Sequence, residues 1–142
     1  MSRDIGTKIS LLIKEVNALM NQNIKQIFEQ TGLTAPQIMV IAVLCKDKNL
    51  KISDISEKLS LSNSTISGII DRLENKNFVA RSRNNSDRRV VQVSLTEKAR
   101  KVMHNTNETI ERNLAEKMNK ADKAQIDAII SGLETLKKLM QN

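Results

Sequence analysis

Ile52 to Thr96 reads ISDISEKLSLSNSTISGIIDRLENKNFVARSRNNSDRRVVQVSLT. It opens with two short helical patterns separated by a tight polar break. In the first, Ser53 is placed to cap, Asp54 and Glu57 occupy the opening turn where the helix dipole favours acids, and Ile55 and Leu59 face inward. That pattern ends by Ser60. In the second, Ser62 caps, Leu61 and Ile66 have the spacing of a hydrophobic staple, and Ile66, Ile69, Ile70 and Leu73 recur on one face. Phe78 to Arg83 and Arg88 to Leu95 then read as strands, the second alternating Val91, Val93 and Leu95 with Gln92 and Ser94. The run Asn84-Asn85-Ser86-Asp87 between them has turn chemistry. Helix, turn, helix and β-hairpin in that order predict a winged helix-turn-helix, which sets one helix in a DNA groove and a basic loop beside it.

The outward face of the second helix carries the most information. Surface helices usually display Lys and Glu, which form helix well, whereas this one opens with Asn63, Ser64, Thr65, Ser67 and Gly68. Short side chains let a helix sit deep in a major groove, where hydroxyl and amide groups bond base edges or phosphates. A polar cap with an indifferent surface is the plainer alternative. The hairpin tip carries Asp87, Arg88 and Arg89. An arginine there suits a narrow minor groove, and a neighbouring carboxylate is placed to hold its guanidinium fork. Lys76 to Lys101 holds eight basic and two acidic residues, a local charge of +6 out of a net +7 for the chain. A solvated basic surface would explain the charge alone; beside a helix-turn-helix pattern it points to nucleic acid.

Working outward, Ile5 to Phe28 repeats apolar residues every three or four positions, which predicts a long amphipathic helix stopped by Gly32. Thr34 and Gln37 have capping-box spacing with Pro36 in the first turn, and Ile38 to Cys45 is apolar nearly all round, as a central buried helix would be. Lys51-Ile52 is positioned to add a very short strand to the hairpin. Thr96 caps a fifth helix bearing Ala99, Val102, Met103, Ile110, Leu114, Ala115 and Met118. Asn119 is placed to cap a sixth, with Asp122 at the third position and a stripe of Ile126, Ile129, Ile130, Leu133, Leu136, Leu139 and Met140. Gly132 in that helix suits a close helix contact. A small winged unit cannot cover both the first helix and the last two, so the economical arrangement is a symmetric dimer in which they interlock. A monomer with its own helical bundle is the alternative. The expected organisation is therefore one domain over residues 1–142, mainly α with a small β-hairpin wing. Residues 33–96 form its DNA-binding region, and 1–31 and 97–142 form its dimerisation helices.

Composition narrows the functional classes. With 142 residues and 1% aromatic content the core must be aliphatic, with Met20, Met39, Met103, Met118 and Met140 as fillers. The single cysteine, Cys45, excludes an internal disulfide and reads as an inert buried thiol rather than a sensor. The single His104 reads as a helix-surface residue. No signal-peptide pattern or apolar run long enough for a membrane span is visible, which predicts a cytoplasmic chain. No metal-spaced His/Cys cluster, glycine-rich phosphate loop or catalytic triad is present, so no metal, cofactor or enzymatic activity is expected.

The run Asp87-Arg88-Arg89-Val90-Val91-Gln92-Val93-Ser94-Leu95-Thr96 resembles the D-x-R wing signature, strand and Leu-Thr helix opening of the MarR family of bacterial transcriptional regulators. Asp71-Arg72-Leu73-Glu74, Asn77-Phe78-Val79 and Arg81 are similar to the family's pattern at the end of the recognition helix, and the six-helix order extends the likeness over essentially the full chain. Asn77 stands where the family commonly has Gly, a tolerable exchange because Asn adopts left-handed backbone. The resemblance implies a homodimer that binds palindromic double-stranded operators, usually as a repressor, relieved by a small-molecule or oxidant signal. It implies DNA contacts at Asn63, Ser64, Thr65 and Ser67, with Arg81 and Arg88 among the DNA-facing residues. Arg89 would then be the minor-groove residue and Asp87 its positioner. Arg72 fits an internal salt bridge or a phosphate contact, since it pairs poorly with Asp71 or Glu74 on its own helix. Without Tyr or Trp an aromatic-lined effector pocket is disfavoured. A winged-helix protein-interaction module without specific DNA binding is the competing class.

Overall fold

A computed structural model describes residues 2–141, with side chains from Asp4 onward. Its elements are α1 (Ser2–Glu29), α2 (Ala35–Lys46), α3 (Ile52–Leu59), α4 (Asn63–Asn75), β1 (Val79–Arg83), β2 (Val91–Leu95), α5 (Glu97–Met118) and α6 (Lys123–Met140). This is the expected mainly helical winged helix-turn-helix. The chain forms two compact units, one ending at Thr106 and one beginning at Asn107, so the division falls inside α5.

In the first unit one aliphatic cluster joins every element of the winged region. Val40, Ile41 and Leu44 of α2 meet Ile55 of α3, Ile66, Ile70 and Leu73 of α4, and Val93 of β2, all essentially removed from water. Leu33, Ile69, Phe78, Val79, Leu95, Ala99 and Met103 complete it. Each such side chain contributes about 1.5–3 kcal/mol on burial, so the helix-turn-helix and the wing stand on a shared base. β1 and β2 pair antiparallel with Val79 opposite Leu95 and Arg83 opposite Val91. The outer edge of β2 is covered by Leu50, which exchanges backbone hydrogen bonds with Val93 at 3.1 and 2.7 Å. Leu50 therefore takes the place expected for Lys51-Ile52, and it fixes where the chain turns into α3.

That anchor moves the start of α3. Lys51 occupies the cap position, Ser53 lies inside the first turn, and the Asp54 carboxylate accepts the Lys51 backbone N–H at 3.1 Å. An acid reaching back in this way satisfies an orphan donor without a capping hydroxyl. Thr34 and Gln37 form the expected reciprocal box at α2, and Gly32 ends the preceding turn at φ +71°. The apolar surround of α2 is only half used: Val40, Ile41 and Leu44 are buried, whereas Met39 and Cys45 are exposed, contrary to expectation. α2 is still central to the core, since Val40, Ile41 and Leu44 pack it against α3, α4 and β2, but it leaves one face to solvent.

In the second unit, Asp122 caps α6 and not Asn119. Asp122 and Gln125 each accept the other's backbone N–H, at 2.8 and 3.0 Å, while the Asn119 N–H still bonds Ala115 as the last turn of α5. The reciprocal pair satisfies two donors where Asn119 would satisfy one, so it wins. No residue of α6 is buried within the single chain. Met103 alone of the five methionines is fully buried; Met20 and Met140 are exposed, as is His104.

Candidate nucleic-acid interface

Two left-handed residues fix the placement of α4. Ser60, at φ 53°, closes α3: its N–H bonds Glu57 and the Leu61 N–H reaches back to Ser56. The Ser56 hydroxyl also donates to the Leu61 carbonyl. Asn77, at φ 61°, closes α4 in the same pattern, its N–H on Glu74 and the Phe78 N–H on Leu73. Both are Schellman ends, in which one left-handed residue satisfies the last carbonyls and reverses the chain. Between them Ser62 caps α4, its hydroxyl oxygen accepting the Thr65 N–H at 3.1 Å and lying 2.8 Å from the Thr65 hydroxyl. Asn63, Ser64 and Thr65 are exposed and Ser67 half-buried, so the short uncharged face foreseen in the sequence is open to solvent. Leu61 is not a closed staple; it keeps 37% of its surface exposed.

The wing loop is ordered by its own side chains. Asn84 donates its N–H to the Val90 carbonyl at 3.0 Å, and its side-chain oxygen accepts both the N–H and the hydroxyl of Ser86. Asp87 accepts the backbone N–H of Arg89 at 2.9 Å. This corrects the expectation of a carboxylate gripping the Arg89 guanidinium: Asp87 fixes the backbone from which Arg89 projects. Two-residue contacts of this kind are the usual Asp turn, and they outcompete a flexible guanidinium for the same oxygen.

The basic residues divide into two groups. Four are engaged internally. Lys76 donates to the Gly32 carbonyl at 2.9 Å and to the buried Gln37 side chain at 3.3 Å. Lys98 donates to the Lys76 carbonyl and lies 5.1 Å from the centre of the Phe78 ring. Arg100 bonds the Leu95 carbonyl. Arg81 lies between two carboxylates of α4, with Nη1 2.9 Å from Glu74 Oε1 and Nη2 2.6 Å from Asp71 Oδ1. Burial works against the charge on Arg81, but the hydrogen bonds it donates to Asp71 and Glu74, with their negative charges, outweigh it and push the guanidinium above its ordinary pKa. Arg72, Arg83, Arg88, Arg89 and Lys101 make no side-chain hydrogen bond or ion pair with other described residues. The carboxylates next to Arg72 are taken by Arg81, which leaves Arg72 exposed. Sequence reasoning missed the Arg81, Lys76, Gln37 and Lys98 contacts; for Arg81 the one available signal was an i,i+3 acid pair on α4 with no well-placed basic partner on the same helix.

A half-open polar helix face, two left-handed turns and a basic ordered loop define a winged helix-turn-helix of the DNA-binding class. Comparison with known proteins makes the class specific. The MarR family model matches residues 33–91. The chain is 36% identical over 110 residues to the HTH-type transcriptional regulator YfiV of Bacillus subtilis, covering 78% of this chain and 69% of that protein. It is also 36% identical over 94 residues to the B. subtilis HTH-type transcriptional repressor MdtR, covering 66% of this chain and 58% of that one. A solved MarR family protein from Bacillus stearothermophilus superposes with a TM-score of 0.79 at 25% identity, over 100% of this chain and 99% of that one. The chain belongs to the MarR family of winged helix-turn-helix transcriptional regulators.

Among the described residues no group of three His, Cys, Asp or Glu side chains is placed to hold a metal ion. None of the described helices is long and apolar enough to cross a membrane.

Proposed function

We propose that the chain acts as a homodimer on a palindromic double-stranded operator, with α4 in the major groove and the wing tip in the flanking minor groove. The observation that carries this reading is the pairing of an open, uncharged α4 face with a side-chain-ordered loop whose Arg88 and Arg89 are free to meet phosphate or base. Asn63, Ser64, Thr65 and Ser67 carry sequence choice. Arg72 and Arg88 meet phosphates, and Arg89, aimed by its Asp87-bound backbone, enters the minor groove. The repressor sense is supported by MdtR, a relative named as a repressor. A signal relieves repression. Cys45 reaches solvent, but partial desolvation raises its thiol above the usual pKa, and a thiol kept neutral is a poor oxidant sensor, which favours a small molecule as that signal.

The test is footprinting of the purified protein on its own promoter region against random duplex at moderate salt. A protected palindrome supports the reading, and equal affinity for both DNAs overturns it. Arg89→Ala is expected to weaken operator binding by about tenfold to a hundredfold, with the urea unfolding midpoint unchanged.

A further inference from the structure

The Arg81 contacts have a consequence for how the two halves of the interface are aimed. Asp71 and Glu74 lie three residues apart on α4 and so share one face of the helix. Arg81 is the middle residue of β1, paired with Val93. Its two terminal nitrogens go to different carboxylates, and its side chain is only 25% exposed. A planar fork satisfied on both prongs fixes distance and direction together, which a single ammonium cannot do.

Below Arg81, α4 and the wing are joined by the turn at Asn77, by the apolar contacts of Leu73, Phe78 and Val79, and by the Thr96 hydroxyl and Lys98, which donate to the Asn77 and Lys76 carbonyls. All of these contacts lie close to the pivot, where they resist a sideways movement of the distant tip with little leverage. From Arg81 to Asp87 the chain extends at most about 20 Å. A swivel of about 10° at the base would thus carry the tip about 3–4 Å sideways, enough to take an arginine out of a minor groove. Nor is Arg81 well placed to meet DNA itself. Its charge is opposed by two carboxylates, leaving the trio at a net −1, which repels phosphate.

We propose that Arg81, held between Asp71 and Glu74, is a positioning residue that sets the angle between recognition helix and wing so that major- and minor-groove contacts form together. The proposal rests on the DNA-binding reading above. It reassigns Arg81 from contacting DNA to aiming the residues that do.

The test uses the full-length protein and a duplex carrying its footprinted site. Asp71→Asn with Glu74→Gln removes two negative charges, yet binding should weaken on the order of tenfold. Arg81→Ala added to that background should cause no further loss. In that background the slope of log affinity against log salt should be the same with and without the Arg81 side chain, because Arg81 itself meets no phosphate. Hydroxyl-radical protection should fade at the outer minor-groove flanks while the central protection persists, a pattern that general destabilisation would not produce. If Arg81→Ala fails to fold, Arg81→Lys, which reaches one carboxylate only, should show the same flank-selective loss. The proposal is overturned if the carboxylate variant binds tighter than the parent, or if adding Arg81→Ala to that variant weakens binding further and lowers its salt slope by about one more. Absence of any site preference in the parent protein would instead overturn the regulator reading itself.

Discussion

At the scale of single residues, the two left-handed positions differ in how well their side chains suit them. Asn77 is among the few residues that tolerate positive φ, so Asn77→Gly should be nearly neutral, whereas Asn77→Ala should destabilise by about 1 kcal/mol. Ser60 has no such tolerance and stands at φ 53°. Ser60→Gly should stabilise the fold by roughly 0.5–1 kcal/mol, the left-handed penalty less the extra chain entropy of glycine. Urea midpoints at unchanged slope measure both, and a destabilised Ser60→Gly would mean that the serine does more than occupy the turn. Cys45 gives a pH-dependent counterpart. Although the side chain reaches solvent, partial desolvation raises its thiol pKa, so the neutral form is favoured and the thiolate appears only at higher pH than in free cysteine. Iodoacetamide should therefore alkylate Cys45 more slowly than free cysteine at pH 7, with the rate rising along a profile displaced to higher pH. A faster reaction would reopen oxidant sensing.

Among the elements, α4 shows what a sequence can and cannot disclose. Its buried face and its Ser62 cap were legible because periodicity and capping are local, and the left-handed Asn77 followed from the family resemblance, which has Gly there. The partners of its acids were not, since Arg81 reaches them from a strand, and no spacing rule links a helix to a strand in three dimensions. Asp54 and Asp122 show another limit. Each lies within three residues of a plausible Ser or Asn cap, and each wins by satisfying a donor through a reciprocal or backward contact that composition does not rank. In α2 an almost wholly apolar sequence concealed which face meets the core, and Cys45 fell on the other. Gly68 turns this into a prediction for α4. A Cβ there would meet nothing within 4 Å, so Gly68→Ala should stabilise the helix by about 1 kcal/mol from propensity alone. If the face enters a groove, the same methyl should weaken DNA binding while the melting temperature rises. Stability and affinity rising together would place the groove contact elsewhere.

At the scale of the whole molecule, the unresolved demand is apolar surface. α1 leaves Ile5, Ile9, Leu12, Val16 and Leu19 at 42–64% exposure, and α6 leaves Ile129, Ile130, Leu133 and Leu139 at 44–69%. Soluble chains seldom leave contiguous apolar faces of this kind uncovered. The second unit is the sharper case, because a helix with no buried residue gains little from folding alone, and ordering its backbone costs about 1–2 kcal/mol per residue. The proposed dimer would meet both demands with one symmetric interface, and would set two α4 helices at the spacing of successive major grooves, about 34–36 Å. The melting temperature should therefore rise with protein concentration, as it must when folding and association are linked. Leu133→Glu and Val16→Glu should each shift the sedimentation coefficient towards that of a monomer. They should also reduce operator affinity far more than affinity for an isolated half-site, because the readers are intact and only their pairing is lost. A concentration-independent melt, with monomeric sedimentation of the parent protein at micromolar levels, would refute the dimer. It would leave α1 and α6 to be covered from within a single chain.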